Sequence, residues 1–206
     1  MTNYKLNIDL QRMLDTKVPI IIELGCGPSK QPGRIGIDAL DLTGVDIVAN
    51  LDNGLPFLPD GSVDEIHSRS LLEHVNNFEY LMREMVRVLR PSGKVVSFVP
   101  HFSNPYFYSD YTHSRFFVFY TFFYFCDPDD QPRRKVPNFY HDIRIRVTSI
   151  EFIFHSPFKR RNVIKRAFGQ LINKRLWLQE FYEENLCFIV PCYGLQVTFQ
   201  PKAKSA

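Results

Sequence analysis

The sequence predicts an α/β protein: an open, doubly wound sheet of seven strands, mostly parallel and closed by an antiparallel last strand. Three observations predict it. Apolar, β-branched runs alternate with loops and one clear helix through the first hundred residues, the grammar of strand and crossover. Residues 18–24 (VPIIIEL) form a continuous apolar run ended by Gly25, as a parallel strand covered on both faces requires. Polar and acidic residues stand where successive strands end, the edge at which open α/β sheets bind ligands.

Taken in order, residues 1–14 read as a short helical lead-in, and residues 18–24 as the first strand. Residues 34–38 (RIGID), 45–49 (VDIVA) and 63–68 (VDEIHS) are the next three. Phe78, Leu81, Met82, Met85 and Leu89 recur at helical spacing, with Asn76 as the cap and Glu79 in the first turn. Pro91, Ser92 and Gly93 stop that helix, and residues 94–100 (KVVSFVP) form the fifth strand. Phe and Tyr then crowd residues 102–125, read as a loop followed by a buried helix over 116–125. Residues 144–154 alternate as a strand that pairs antiparallel with 194–200, the closing strand. Between them, residues 159–175 carry seven Lys and Arg and no acid, a basic helical insertion.

A length of 206 residues suits one domain: a lead-in at 1–17, a ligand-binding half at 18–100, and an aromatic cap, basic insertion and closing strands at 101–206. Hydrophobic residues make up 45% and charged residues 23%, which excludes a disordered polymer. The net charge of +3 is too small to mark a nucleic-acid binder. Cys26, Cys126, Cys187 and Cys192 show neither zinc-type nor disulfide-type spacing, so no metal is expected and a reducing, cytoplasmic setting fits. The opening residues lack the apolar core of a signal peptide, and no run approaches the ~20 apolar residues of a membrane span.

The sharpest local signal is residues 23–29 (ELGCGPS), an acid at a strand end followed at once by glycines. Gly25 and Gly27 permit a tight turn and a close backbone approach by a ligand. Asp38 ends the second strand, where a carboxylate can accept from both hydroxyls of an adenosine ribose. Asn50, Leu51 and Asp52 follow the third strand, and Ser68, Ser70, Glu73 and His74 the fourth. A nicotinamide dehydrogenase is disfavoured, because Lys30 stands where a GxGxxG turn needs glycine.

Residues 20–100 resemble a class I S-adenosylmethionine-dependent methyltransferase of the type 11 group. The resemblance rests on ELGCGPS, Asp38, NLDNGLPFLPDGSVDEI, LLEHV and MREMVRVLRPSGKVVSFVP, in that order. It implies a Rossmann-like fold and S-adenosylmethionine as cofactor. Glu23, Gly25, Cys26 and Gly27 would cradle its methionine part, Asp38 its ribose, and Asn50, Leu51 and Asp52 its adenine. Ser29 replaces the usual third glycine, and only ten residues separate Gly27 from Asp38, so the usual helix after the glycine turn is one turn or absent.

Methyl transfer from a sulfonium needs alignment and exclusion of water, and for a hydroxyl acceptor a nearby base. His101, Asp110 and His113 are the candidates, with Tyr106, Tyr108 and Tyr111 shaping the site. The aromatic and basic segments together suggest a small-molecule or glycan-like acceptor, nucleotide-linked or lipid-linked, with peripheral membrane contact. That residues 101–117 (HFSNPYFYSDYTHSRFF) resemble segments of methyltransferases from surface-polysaccharide synthesis implies a role in that synthesis. Two other readings compete: a non-catalytic scaffold of the same fold, and an RNA methyltransferase using residues 159–175 as a phosphate track.

Overall fold

A computed structural model describes residues 4–16 and 18–202. Eight strands form one sheet: β1 (Tyr4–Leu6), β2 (Ile21–Leu24), β3 (Ile35–Asp38), β4 (Ile47–Ala49), β5 (Val63–Arg69), β6 (Leu89–Pro100), β7 (Ile145–Ile153) and β8 (Gly194–Pro201). Their order is β1-β4-β3-β2-β5-β6-β8-β7. Strands β4, β3, β2, β5 and β6 are parallel neighbours, and β8 runs antiparallel to both β6 and β7. The eighth strand is β1, antiparallel to β4, in the lead-in read from sequence as helix alone. A five-residue helix, α1 (Leu10–Leu14), does follow it, capped by the Asp9 side chain.

The strands form where the apolar pattern placed them, and the core lies along them. Ile22, Leu24, Ile37, Ile47 and Ile66 are fully enclosed. Helix α2 (Phe78–Val88) carries the β5-to-β6 crossover and buries Phe78, Leu81, Met82, Met85 and Val88. Asn76 does not cap it. Its amide and the Asn77 N–H both donate to the Asp52 carboxylate, which ties the helix entry to the segment after β4. The helix stops before Pro91, but Pro91, Ser92 and Gly93 lie inside β6, in a bulge where its register with β5 shifts. A Cβ at Gly93 would come within 3.0 Å of the Asp64 carbonyl, so the bulge needs glycine.

No helix joins β2 to β3 or β3 to β4. The segment after β2 covers β3 itself: Cys26 Sγ and the Lys30 stem pack where Gly36 has no side chain, and Lys30 pairs with Asp46. Two charge-assisted bonds to the Asp46 carboxylate, from Lys30 and from Gly36 N–H at 2.8 Å, replace what a crossover helix would supply.

The helix expected over 116–125 is absent; Thr121–Phe125 is a short 3₁₀ turn. Burial was the correct part of that expectation. Phe117, Phe119, Phe122, Phe123 and Phe125 are buried and meet Phe78, Phe152 and Phe199 ring to ring. Ring packing in three directions satisfies this segment better than one helical stripe would. The basic insertion is helical: α3 (Lys159–Ile172) is followed by α4 (Leu176–Asn185). No helix among the described residues is long and apolar enough to cross a membrane.

Candidate active site

The carboxyl ends of β2, β3 and β4 meet the segment after β5 around one cleft. Gly25 opens the turn after β2 at φ +64°, and a Cβ there would lie 2.8 Å from Leu71 Cδ1, narrowing the cleft. Its N–H donates to the Ile37 carbonyl at 2.8 Å, folding the turn back over β3. Asp38 Oδ2 accepts from Gly27 N–H at 2.9 Å and Oδ1 from Leu40 N–H at 3.0 Å. Each oxygen keeps capacity for one more donor.

Gly25, Asp38, Asn50, Leu51, Asp52 and His74 line a single cavity of about 160 Å³, joined by Ala39, Leu71 and Val75. Asn50 Oδ1 accepts from Asp52 N–H at 2.9 Å and so caps the short turn Leu51–Asn53. Burial works to raise the Asp52 carboxyl, but bonds from Asn77 and Asn76 outweigh it and hold the group below its usual range. Asp52 is thereby fixed as an anion at the cavity wall.

The remaining residues assigned to the cofactor from sequence do not line this cavity. Glu23 accepts from Gln31 N–H and faces Arg34, so it braces the far side of the turn. Cys26 is buried against Gly36, and burial, with Asp38 and Glu23 nearby, pushes its thiol up to about 11. Gly27 belongs to the turn through its bond to Asp38. Ser68 points into the sheet, 2.7 Å from Ser97 Oγ, because its alternation along β5 places it on a covered face. Ser70 is exposed at φ +49°, and its N–H donates to Phe98 O. Helix α1 contributes no residue to the cavity wall.

The three catalytic candidates separate. His101 is fully buried: its Nδ1 accepts from Ser103 N–H, and its Nε2 donates to Glu183 at 3.0 Å. With both nitrogens engaged inside the core, it cannot meet an acceptor. Asp110 and His113 instead join His74 beside the cavity. Asp110 Oδ1 accepts from Thr112 N–H and from the Thr112 hydroxyl at 2.6 Å, and these bonds hold its carboxyl below the usual range. Because that hydroxyl donates its hydrogen to Asp110, at 2.9 Å it accepts from His74 Nδ1–H. His113 Nδ1–H donates to the Phe107 carbonyl at 2.9 Å, leaving Nε2 facing Asp110 at 3.6 Å and Glu73 at 4.0 Å.

Glu73 is 1% exposed, and neither of its carboxylate oxygens has a hydrogen-bond partner. Burial pushes its carboxyl up to about 7. The sequence placed Glu73 after the fourth strand but gave no sign that it would be buried and partnerless. Thr112 was likewise missed; its only signal was its place between Asp110 and His113.

A larger recess of about 800 Å³ is walled by Phe102, Tyr120, Tyr124, Trp177 and Phe181, with Arg133, Arg134, Glu180, Glu183 and Glu184 as its charged residues. Glu180 fixes this wall by accepting from the Tyr120 hydroxyl and the Arg133 N–H. The Arg134 guanidinium lies 5.1 Å from the Tyr120 ring centroid. Tyr106, Tyr108 and Tyr111 are all exposed, and Tyr108 bonds the Phe102 carbonyl.

A sheet of this order, with a glycine turn, a strand-end acid and one shared cavity, is a Rossmann-like cofactor-binding fold. Residues 22–97 match the family model described as a methyltransferase domain, of type 11. Among solved structures, a SAM-dependent methyltransferase from Archaeoglobus fulgidus is similar at 17% identity and TM-score 0.58, over 94% of this chain and 91% of that one. A methyltransferase from Bacillus halodurans, whose assignment is itself provisional, is similar at 14% identity and TM-score 0.50, over 92% and 94%. Phosphoethanolamine N-methyltransferase 2 from Haemonchus contortus, in complex with S-adenosylmethionine, is similar at 14% and 0.52, over 95% of this chain and 51% of that one. Among curated proteins, none matches this sequence. Over residues 22–97 the chain is thus similar to methyltransferase domains of type 11, and with the solved structures it shares a fold.

Proposed function

We propose that this methyltransferase binds its cofactor in the Gly25–Asp38–Leu51 cavity and methylates a glycan-like small molecule carrying phosphate, nucleotide-linked or lipid-linked. The cofactor supplies an electrophilic methyl group on a sulfonium; the protein supplies alignment and a dry site. The fit is chemical. Asp38 has acceptor capacity for two ribose hydroxyls, Leu51 and Val75 offer apolar contact to a base, and Gly25 leaves the wall open where a side chain would close it.

The observation that carries the acceptor class is the larger recess. Aromatic faces pack on the C–H faces of sugar rings, and Arg133 and Arg134 suit phosphate, with Glu180 and Glu183 on the same wall already engaged by Tyr120 and His101. Helix α3 supports a lipid-linked form. Lys159, Arg160, Arg161 and Arg166 are exposed beside Phe158, Val163 and Ile164, themselves 62%, 69% and 71% exposed, a composition suited to an anionic bilayer surface. An RNA track has no use for those apolar residues. The acceptor would be activated at the cluster of Glu73, His74, Asp110 and His113, since His101 is sealed in the core.

The test is transfer of labelled methyl from S-adenosylmethionine into separated nucleotide-sugar, lipid-linked glycan, RNA and protein fractions of a cell extract. Label in either glycan fraction, lost in Arg133→Ala/Arg134→Ala, is the expected result. Label confined to RNA overturns the acceptor, and none above background in any fraction favours a scaffold.

A further inference from the structure

We propose that Glu73, His74 and His113 form a binding site for one divalent transition-metal ion, of the zinc class, beside the cofactor cavity. One ligand atom from each of the three residues lies within 4.8 Å of the other two. Tetrahedral zinc with nitrogen and oxygen ligands at ~2.1 Å needs ligand separations of ~3.4 Å, a contraction that side-chain rotation supplies.

Proximity alone would be weak; the hydrogen-bond pattern strengthens it. Both histidines have Nδ1 committed outward, His74 to the Thr112 hydroxyl and His113 to the Phe107 carbonyl. Each is therefore fixed in the tautomer that carries a lone pair on Nε2. Metal-ligating imidazoles are held in this way, with the second nitrogen donating to a carbonyl, hydroxyl or carboxylate. For His74 the chain continues to Asp110, since the Thr112 hydroxyl donates to that carboxylate at 2.6 Å. Glu73 is the second, independent sign: an enclosed carboxylate with no hydrogen-bond partner on either oxygen, 4.0 Å from His113 Nε2. A buried carboxylate without a partner is costly, and a cation is the partner that removes the cost.

Two imidazoles and a carboxylate are the protein ligands of open, catalytic zinc sites, in which a fourth position takes water or substrate. His74 also lines the cofactor cavity, so that position lies next to the methyl donor's proposed seat. An ion there would lower the acceptor hydroxyl's pKa, the proton passing to water before the oxygen takes the methyl group. This role rests on the cofactor seat proposed above, but the site itself does not.

The experiment is titration of the metal-free full chain with Co²⁺ and Zn²⁺, followed by calorimetry and the visible Co²⁺ spectrum. One equivalent should bind with a low-coordinate Co²⁺ absorption and no thiolate charge-transfer band. His74→Ala and His113→Ala should each weaken binding by at least about tenfold, while His155→Ala changes nothing. His74→Ala guards against folding failure, because that side chain is only partly buried, and circular dichroism checks each variant. Absence of saturable binding, a thiolate band, or undiminished binding in His74→Ala/His113→Ala overturns the site. No acceptor or cofactor is needed, so its failure leaves the methyltransferase reading intact.

Discussion

Replacing Asp38 separates two roles that one carboxylate performs. It accepts from Gly27 N–H and Leu40 N–H, and it is proposed to accept from two ribose hydroxyls. Charge-assisted bonds contribute about 1.5–3 kcal/mol each. At the lower end, suited to a solvated cleft, loss of two ribose bonds in Asp38→Ala costs about 3 kcal/mol, a rise in Kd of roughly 150-fold. Asp38→Asn keeps one acceptor and turns an NH₂ toward a backbone N–H, so about tenfold is expected. The variants also loosen the turn, by about 1–2 kcal/mol for Asn, which lowers Tm by a few degrees in a chain of this size. Calorimetry with S-adenosylhomocysteine and with its 2′,3′-dideoxy analogue distinguishes the roles. The hydroxylated ligand should lose the full factor, and the dideoxy ligand only what loosening of the turn transmits. Equal loss for both ligands refutes ribose recognition, and unchanged affinity for both refutes the seat.

Other expectations follow from neighbouring contacts. Gly25→Ala places a Cβ at φ +64° and 2.8 Å from Leu71, so it should destabilise by about 1–3 kcal/mol and weaken cofactor binding at least about tenfold by calorimetry. Ser68→Ala leaves the Ser97 hydroxyl buried and unpaired; urea denaturation should show a loss of about 1–2 kcal/mol, with cofactor affinity unchanged. Glu84 bonds Arg87 twice and accepts from Leu55 N–H, and the Arg87 bond holds its carboxyl below the usual range. A folded pKa below the unfolded one means that this stability is present above the unfolded pKa and lost as pH falls through the folded value. Glu84→Gln should therefore cost about 2–3 kcal/mol near neutral pH, with the deficit shrinking under acid; a deficit constant with pH would contradict the ionic origin.

The ligand-binding half was legible because its strands keep apolar residues buried at regular intervals, as at Ile22, Leu24, Ile35, Ile37, Ile47 and Ile66, between turn-rich segments. Strand β1 was not. Its three residues include the exposed Lys5, and an edge strand held by one neighbour needs no apolar signature. Within the aromatic segment Phe117, Phe119, Phe122, Phe123 and Phe125 reported burial faithfully, though not conformation, since rings can fill a core from 3₁₀ turns as well as from a helix; Phe116 is exposed. At the cleft, backbone signals carried over, and Gly25, Asp38 and Leu51 meet as their strand-end positions implied. Side-chain direction did not carry over. Ser68 and His101 sit close in sequence to the site yet point into the sheet and the core, a matter of alternation and packing.

The small first strand has a consequence out of proportion to its length. By pairing with β4 it occupies the row of amides and carbonyls that would otherwise end the sheet on that side, and the Lys5–Asp41 ion pair fastens it there. Detaching Tyr4–Leu6 would expose an apolar rim at Ile47 and Ala49 to strands of other molecules. The rim of the sheet is thus formed by the more exposed Tyr4–Leu6 in place of the buried Ile47 and Ala49.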